Sequence, residues 1–178
     1  MQYKDSEYYN RIKANFESLA KVDNVLFCGQ QVKSEAFYNF LKNISLDKRM
    51  EFPIAEELQM SFCLGLSLEG YLPICIYQRM DFIPRAFDSL VNHLDIFSEL
   101  SRGKFNPKVI IFTTIGSTKP LDVGLQHNKN LVKSLEASLR NIPVFYCKTC
   151  EEVDEAFGRA YKNKDSSIIV VEQDLFNE

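Results

Sequence analysis

The hydrophobic pattern of this chain keeps changing its period. Short β-rich runs alternate with longer stretches whose apolar residues recur every three or four positions. A strand that is apolar on both faces must be covered on both, and helices placed between successive strands do this while making neighbouring strands parallel. Residues 24–28 (NVLFC), 50–52, 73–77, 108–113 (KVIIFT), 143–147 and 167–172 read as six strands. Residues 6–21 read as a helix with Ile12, Phe16 and Leu19 on one stripe. In 34–44, Phe37, Phe40, Leu41 and Ile44 fall at i, i+3, i+4 and i+7. Further helices are expected over 55–68 (closed by Gly70), 83–100, 130–140 and 149–163, the last opened by a Thr149/Glu152 capping box. The expectation is an α/β fold: a doubly wound, largely parallel six-stranded sheet with helices on both faces, whose site lies at the carboxyl ends of the strands. Residues 114–128 lack periodicity and hold Gly116, Pro120 and Gly124, as a functional loop would.

At 178 residues and 46% hydrophobic, the chain is sized for a single domain over 1–178 with a full core that needs no metal or disulfide. A net charge of −3 with scattered Lys and Arg gives no electrostatic basis for binding nucleic acid or an anionic membrane. No apolar run is long enough to span a bilayer, and the start MQYKDSEYYN lacks a signal-peptide core, so a cytoplasmic location is expected. Cys28, Cys63 and Cys75 lie in apolar runs and read as small buried hydrophobes. Cys147 and Cys150 form a C-x-x-C with no second pair to complete a zinc site.

The usual phosphate loops are missing: Gly29 stands without G-x-G-x-x-G, and GSTKP lacks the ending of a P-loop. Glu56 is the most suggestive polar residue. It follows the turn FPIA among Phe52, Ile54, Leu58 and Met60, where a partly desolvated carboxyl suits a ring nitrogen. A first-turn glutamate complementing the helix dipole is the plainer role, and Glu57 fits it equally well. His127, in LQHNK, is either a solvated loop histidine or a reactive one. His93, in SLVNHLDIF, reads as structural.

Residues 52–94, FPIAEELQMSFCLGLSLEGYLPICIYQRMDFIPRAFDSLVNHL, resemble the pyrimidine-binding domain in the β subunit of thiamine-diphosphate-dependent 2-oxo acid dehydrogenases, the decarboxylating component. That transketolase-like pattern runs Pro-Ile-Ser/Ala-Glu, a helix of small residues, Gly-Leu-x-Pro, then Asp-Phe-x-x-Pro-Ala-Phe/Met-Asp-Gln-Ile/Leu-Val-Asn. Pro53 to Glu56, Gly65, Gly70, Pro73, Asp81, Phe82, Ala86 to Asp88, Val91 and Asn92 fall in register, and the likeness extends through Cys28 to Val32, Gln126 to Asn128 and Val170 to Glu172.

The resemblance implies that Glu56 hydrogen-bonds the aminopyrimidine of thiamine diphosphate and favours the imino tautomer that generates the ylid. By the same resemblance Phe82 stacks on the pyrimidine, His127 faces substrate, and Gln78 lines the pocket. It also implies a diphosphate-domain (α-like) partner subunit carrying the diphosphate and Mg2+ site, because no Gly-Asp-Gly motif is present and no metal is expected on this chain. The assembly expected is a heterotetramer, with a separate C-terminal-domain chain as one form of it. Gln30 departs from the family's acidic residue, Leu58 and Ser61 replace frequent glycines, and Arg79 and Met80 stand at positions usually apolar or small, which points toward an anionic substrate. The expected activity is that of a split enzyme subunit, acting in 2-oxo acid decarboxylation or ketol transfer. A non-catalytic structural or regulatory subunit and an unrelated flavodoxin-like binding domain are the other readings.

Overall fold

The computed structural model describes residues 6–118, 122 and 124–177. Its six strands are β1 (Val25–Gly29), β2 (Arg49–Glu51), β3 (Leu72–Tyr77), β4 (Ile110–Ile115), β5 (Val144–Cys147) and β6 (Ser167–Glu172). They form one sheet in the order β2-β1-β3-β4-β6-β5, every pair parallel. The α/β doubly wound architecture expected from the pattern is therefore present.

Alternation along the strands divides the core into two layers. Phe27, Ile74, Ile76, Phe112, Ile169 and Val171 face one side, where they meet Ile12 and Phe16 of α1 (Glu7–Leu19) and Val153 and Phe157 of α5 (Cys150–Lys162). Cys28, Cys75, Tyr77, Ile111, Ile168 and Val170 face the other, against Met60 and Cys63 of α2 (Glu56–Leu68) and Val132 and Leu135 of α4 (Val132–Ser138). The helix ends follow their sequence signals. Ser6 caps α1 by accepting from the Tyr9 N–H, the Thr149/Glu152 capping box opens α5, and Gly70 takes φ +88° just beyond α2. Among the described residues, no helix is long and apolar enough to cross a membrane.

Two helical expectations are corrected. Over 34–44 there is no right-handed helix: Ala36, Phe37, Tyr38 and Asn39 have φ between 43° and 64° and form a left-handed turn. A left-handed residue other than glycine costs roughly 1–2 kcal/mol, so tertiary contacts must hold it. Phe37, Phe40, Leu41 and Ile44 are all buried, as their spacing requires, and Tyr9 stacks on Phe40 at 4.6 Å. Arg49, itself buried, donates through Nε to Ile44 O (2.9 Å) and through its terminal nitrogens to Val32 O and Lys42 O (3.4 and 3.2 Å). Periodicity captured which side chains are inside, and not the hand of the backbone, which the Arg49 bonds help to hold.

The helix expected over 83–100 is broken into a 3-10 segment (Met80–Ala86), a wide π turn (Ser89–Leu94) and α3 (Phe97–Leu100). Pro84 inside the first piece supplies no N–H and cannot sit in a regular helix interior. Beyond the π turn, the buried Asp95 carboxylate accepts the backbone N–H groups of Arg140, Asn141 and Ile142 (2.8, 2.9 and 3.0 Å), locking the entry to β5.

Candidate active site

The four central strands β1, β3, β4 and β6 end in Gly29, Tyr77, Ile115 and Glu172, so the residues that follow them gather at one edge of the sheet. Beside this edge, β2 leads through Phe52, Pro53 and Ile54 into α2, whose first turn carries both glutamates. The structure separates their surroundings: Glu57 is exposed, where it can complement the helix dipole, whereas Glu56 is 3% exposed. The backbone O of Glu56 accepts the Tyr77 hydroxyl at 2.8 Å, tying α2 to the end of β3. Burial pushes the Tyr77 phenol well above its ordinary pKa, which keeps it a neutral donor. Among the described residues, the Glu56 carboxylate has one partner, Arg85, whose Nε donates to Oε2 at 3.1 Å. The pair lies in an open depression of about 490 Å³ walled by Ile54, Ala55, Leu58 and Ser61.

The 3-10 segment that carries Arg85 also carries Phe82. The Phe82 ring meets the His127 imidazole edge to face at 5.8 Å, both side chains being partly buried. Arg79, two residues past β3, holds the His127 segment from below: its Nη1 donates to His127 O and to Gln173 Oε1, each at 3.2 Å. Gly116 makes this approach sterically possible. A Cβ there would lie 1.7 Å from His127 O and 2.8 Å from Arg79 Nη1.

Gln78 begins the same crossing. Its Nε2 donates to Gln31 Oε1, and its carbonyl accepts the Thr114 hydroxyl at 2.6 Å. Gln31 is in turn held by Glu51 at the end of β2, whose carboxylate accepts the N–H groups of Gln31 and Lys33. Thus Phe82 and His127 touch, Glu56 is bound to the Phe82 segment through Arg85, and Gln78 sits at the neighbouring strand ends. The loop expected over 114–128 starts later than the pattern suggested, because β4 runs on to Ile115; Pro120 lies outside the described residues.

Residues 12–177 match the family described as transketolase, pyrimidine binding domain. The chain belongs to that family. Over 104 residues it is 26% identical to the 3-methyl-2-oxobutanoate dehydrogenase subunit beta of two strains of Mycobacterium tuberculosis, an alignment covering 56% of this chain and 30% of the relative. Among solved structures, it resembles a split gene transketolase in an inactive β4 tetramer, with a TM-score of 0.72 at 17% identity, over 93% of this chain and 51% of the other. A protein described as a thiamin diphosphate-dependent enzyme, from Mycobacterium smegmatis, matches with a TM-score of 0.61 at 15% identity, over 94% of this chain and 31% of the other. These structural likenesses concern the fold. The pyrimidine-domain chain spans about a third of the curated relatives' length.

Within this pyrimidine-binding domain, sequence reasoning passed over Arg85, Glu51 and the packing role of Gly116. One signal was available for Arg85, which stands where the family pattern has proline. Glu51 and Gly116 carry no motif, and only the parallel register brings them to the site. His93 lies apart, on the surface, with Nε2 3.4 Å from Asp88 Oδ2. Cys28, Cys63 and Cys75 are buried, as their apolar runs required.

The Cys147 and Cys150 thiols are shifted upward, the wrong direction for a nucleophilic C-x-x-C. For Cys147, burial and then the Glu152 and Glu155 charges push the pKa up to about 12. The thiol is harder to ionise folded than unfolded, so its contribution to stability is intact below the ordinary value of 9.0 and is lost as pH rises toward 12. Urea midpoints are expected to fall above pH 9, with a shallower fall in Cys147→Ala. An equal slope in the variant would contradict this.

Proposed function

We propose that residues 1–178 form one pyrimidine-binding domain, working as a subunit of a split thiamine-diphosphate-dependent enzyme. Its partner is a diphosphate-domain chain, and its reaction class is 2-oxo acid decarboxylation or ketol transfer. The observation that carries this reading is Glu56: a nearly sealed carboxyl, on a helix start bound to the end of β3, within a domain of this family.

The residues present fit the pyrimidine end of the cofactor. A carboxyl can give a proton to a ring nitrogen and take it back, Phe82 offers a partly exposed ring, and His127 and Gln78 add polar groups at the same edge. Bound there, thiamine diphosphate would supply the carbanion chemistry needed to cleave a carbon–carbon bond next to a ketone. Glu56 holds and returns the proton at the ring nitrogen. Its burial strengthens that hydrogen bond and keeps water from competing for it. Phe82 fixes the ring plane, and His127, steadied against Phe82 and through Arg79, exchanges protons on the substrate side.

The sequence lacks a Gly-Asp-Gly motif, and the described residues contain no group of three or more His, Cys, Asp or Glu able to hold a metal. We assign the diphosphate and Mg2+ to the partner. Ile54, Leu58 and Phe62, spaced by four residues beside Glu56, are 82%, 51% and 44% exposed, which supports a subunit interface at this face; the assembly we propose for it is a heterotetramer. The test is co-expression with a candidate diphosphate-domain chain, assaying turnover of 2-oxo acids and ketose phosphates with and without thiamine diphosphate. Neither chain alone is expected to turn over, and the pair is. A pair that assembles but binds no cofactor would favour a non-catalytic subunit instead.

A further inference from the structure

The ion pair at Glu56 is unequal. The Glu56 side chain is 3% exposed, whereas that of Arg85 is 74% exposed. An ionised carboxylate so deeply placed needs a counter-charge, and Arg85 supplies it. The guanidinium, by contrast, is already mostly in water and loses little solvation by swinging away. Its grip is single-pronged: Nε alone reaches Oε2, without the two parallel bonds of a bidentate pair. Pro84 restrains the backbone just before Arg85, and the 3-10 segment packs against α2, so the side chain can move while its base stays beside Glu56. The oxygen Arg85 occupies belongs to the carboxyl that the proposed function requires for a ring nitrogen.

We propose that Arg85 is a displaceable counter-ion, which holds the Glu56 carboxylate in the unloaded chain and yields it when an aminopyrimidine ring nitrogen arrives, the carboxyl and the ring nitrogen then sharing one proton taken up from solvent. Arg85 is a positioning residue: it acts on the cofactor only through Glu56. The proposal rests on the reading of Glu56 given above. It explains how a carboxyl this buried is tolerated before cofactor binds, and it makes Arg85 a brake on cofactor capture.

The test uses the full chain and an uncharged probe, 4-amino-5-hydroxymethyl-2-methylpyrimidine, followed by nitrogen-detected resonances of the arginine Nε–H groups. In the free chain the Arg85 Nε–H should show a hydrogen-bonded shift that Glu56→Gln alters and that the pyrimidine releases on titration. Arg85→Gln should bind the pyrimidine roughly fivefold tighter, the scale of an ion pair with one exposed partner, while Arg85→Lys, which keeps the charge, should bind like the wild type. Arg85 is exposed, so both variants should fold as the wild type does, and a matched urea midpoint verifies it. If Glu56→Gln abolishes pyrimidine binding but Arg85→Gln leaves it unchanged or weaker, the counter-ion role is overturned and the Glu56 reading stands. If neither substitution affects binding, the Glu56 reading fails and the counter-ion role falls with it.

Discussion

Replacing Glu56 with glutamine is expected to lower thiamine-diphosphate-dependent turnover of the partnered complex by about a hundredfold or more. A positioned general acid–base typically contributes 10²–10⁴-fold, and glutamine preserves the shape of the side chain while removing its capacity to give and retrieve a proton. The fold should survive. Arg85, the partner left behind, is largely exposed and can turn to water, so no buried charge is stranded. The Glu56 carbonyl still accepts the Tyr77 hydroxyl, because that bond belongs to the backbone. Turnover measured at saturating cofactor, beside the urea midpoint of the isolated chain, checks both parts. Undiminished turnover would remove Glu56 from the proposed chemistry.

Gly116→Ala is expected to cost a comparable factor by a different route. The new Cβ would stand 1.7 Å from His127 O, 2.7 Å from His127 C and 2.8 Å from Arg79 Nη1. Two of those three atoms are backbone, so relief requires the His127 segment to retreat by more than about an ångström, and misplacement on that scale costs roughly 10²-fold in rate. The Phe82 and His127 ring contact should be lost with it, visible as a change in the His127 imidazole resonances. Gly158→Ala is the natural control. It lies within α5 with nothing within 4 Å of the added carbon, and alanine there should stabilise the helix by roughly 0.5–1 kcal/mol. Full activity in Gly116→Ala would mean that the position of His127 does not matter to the reaction.

The extent to which the site was legible in the sequence depended on distance along the chain. Glu56 was visible because its context is local: a proline turn, two acids and an apolar helix within a few residues. Phe82 and His127 were marked through the family resemblance, but their ring contact joins segments that only the sheet brings together. Gln31 and Glu51 were invisible as a pair, since their bond depends on β1 and β2 lying in register. The periods of the strands were readable because both faces are covered and therefore apolar. The segment 34–44 shows the limit of that approach: a spacing of three and four residues reports which side chains are buried, and a left-handed turn satisfied it as well as a right-handed helix. Pro84 was a plain local warning that the helix expected from 83 to 100 would not be continuous, and its physical effect outweighed the periodicity.

The all-parallel sheet also determines how this chain must reach its native state. No strand is joined to its hydrogen-bonded neighbour by a tight hairpin. Val25 pairs with Leu72 across β2 and α2, and Ile110 with Ser167 across α4, β5 and α5. Every pairing must therefore close a long loop before it gains any stabilisation, so the contact order is high and folding is slower than in a helical bundle of the same length. The Glu56 turn follows a strand of only three residues at the sheet's edge, whose single neighbour is β1. Its geometry rests on that one short pairing, Phe27 with Arg49 through Gly29 with Glu51, so the chemistry proposed for this domain hangs on the narrowest contact in its sheet.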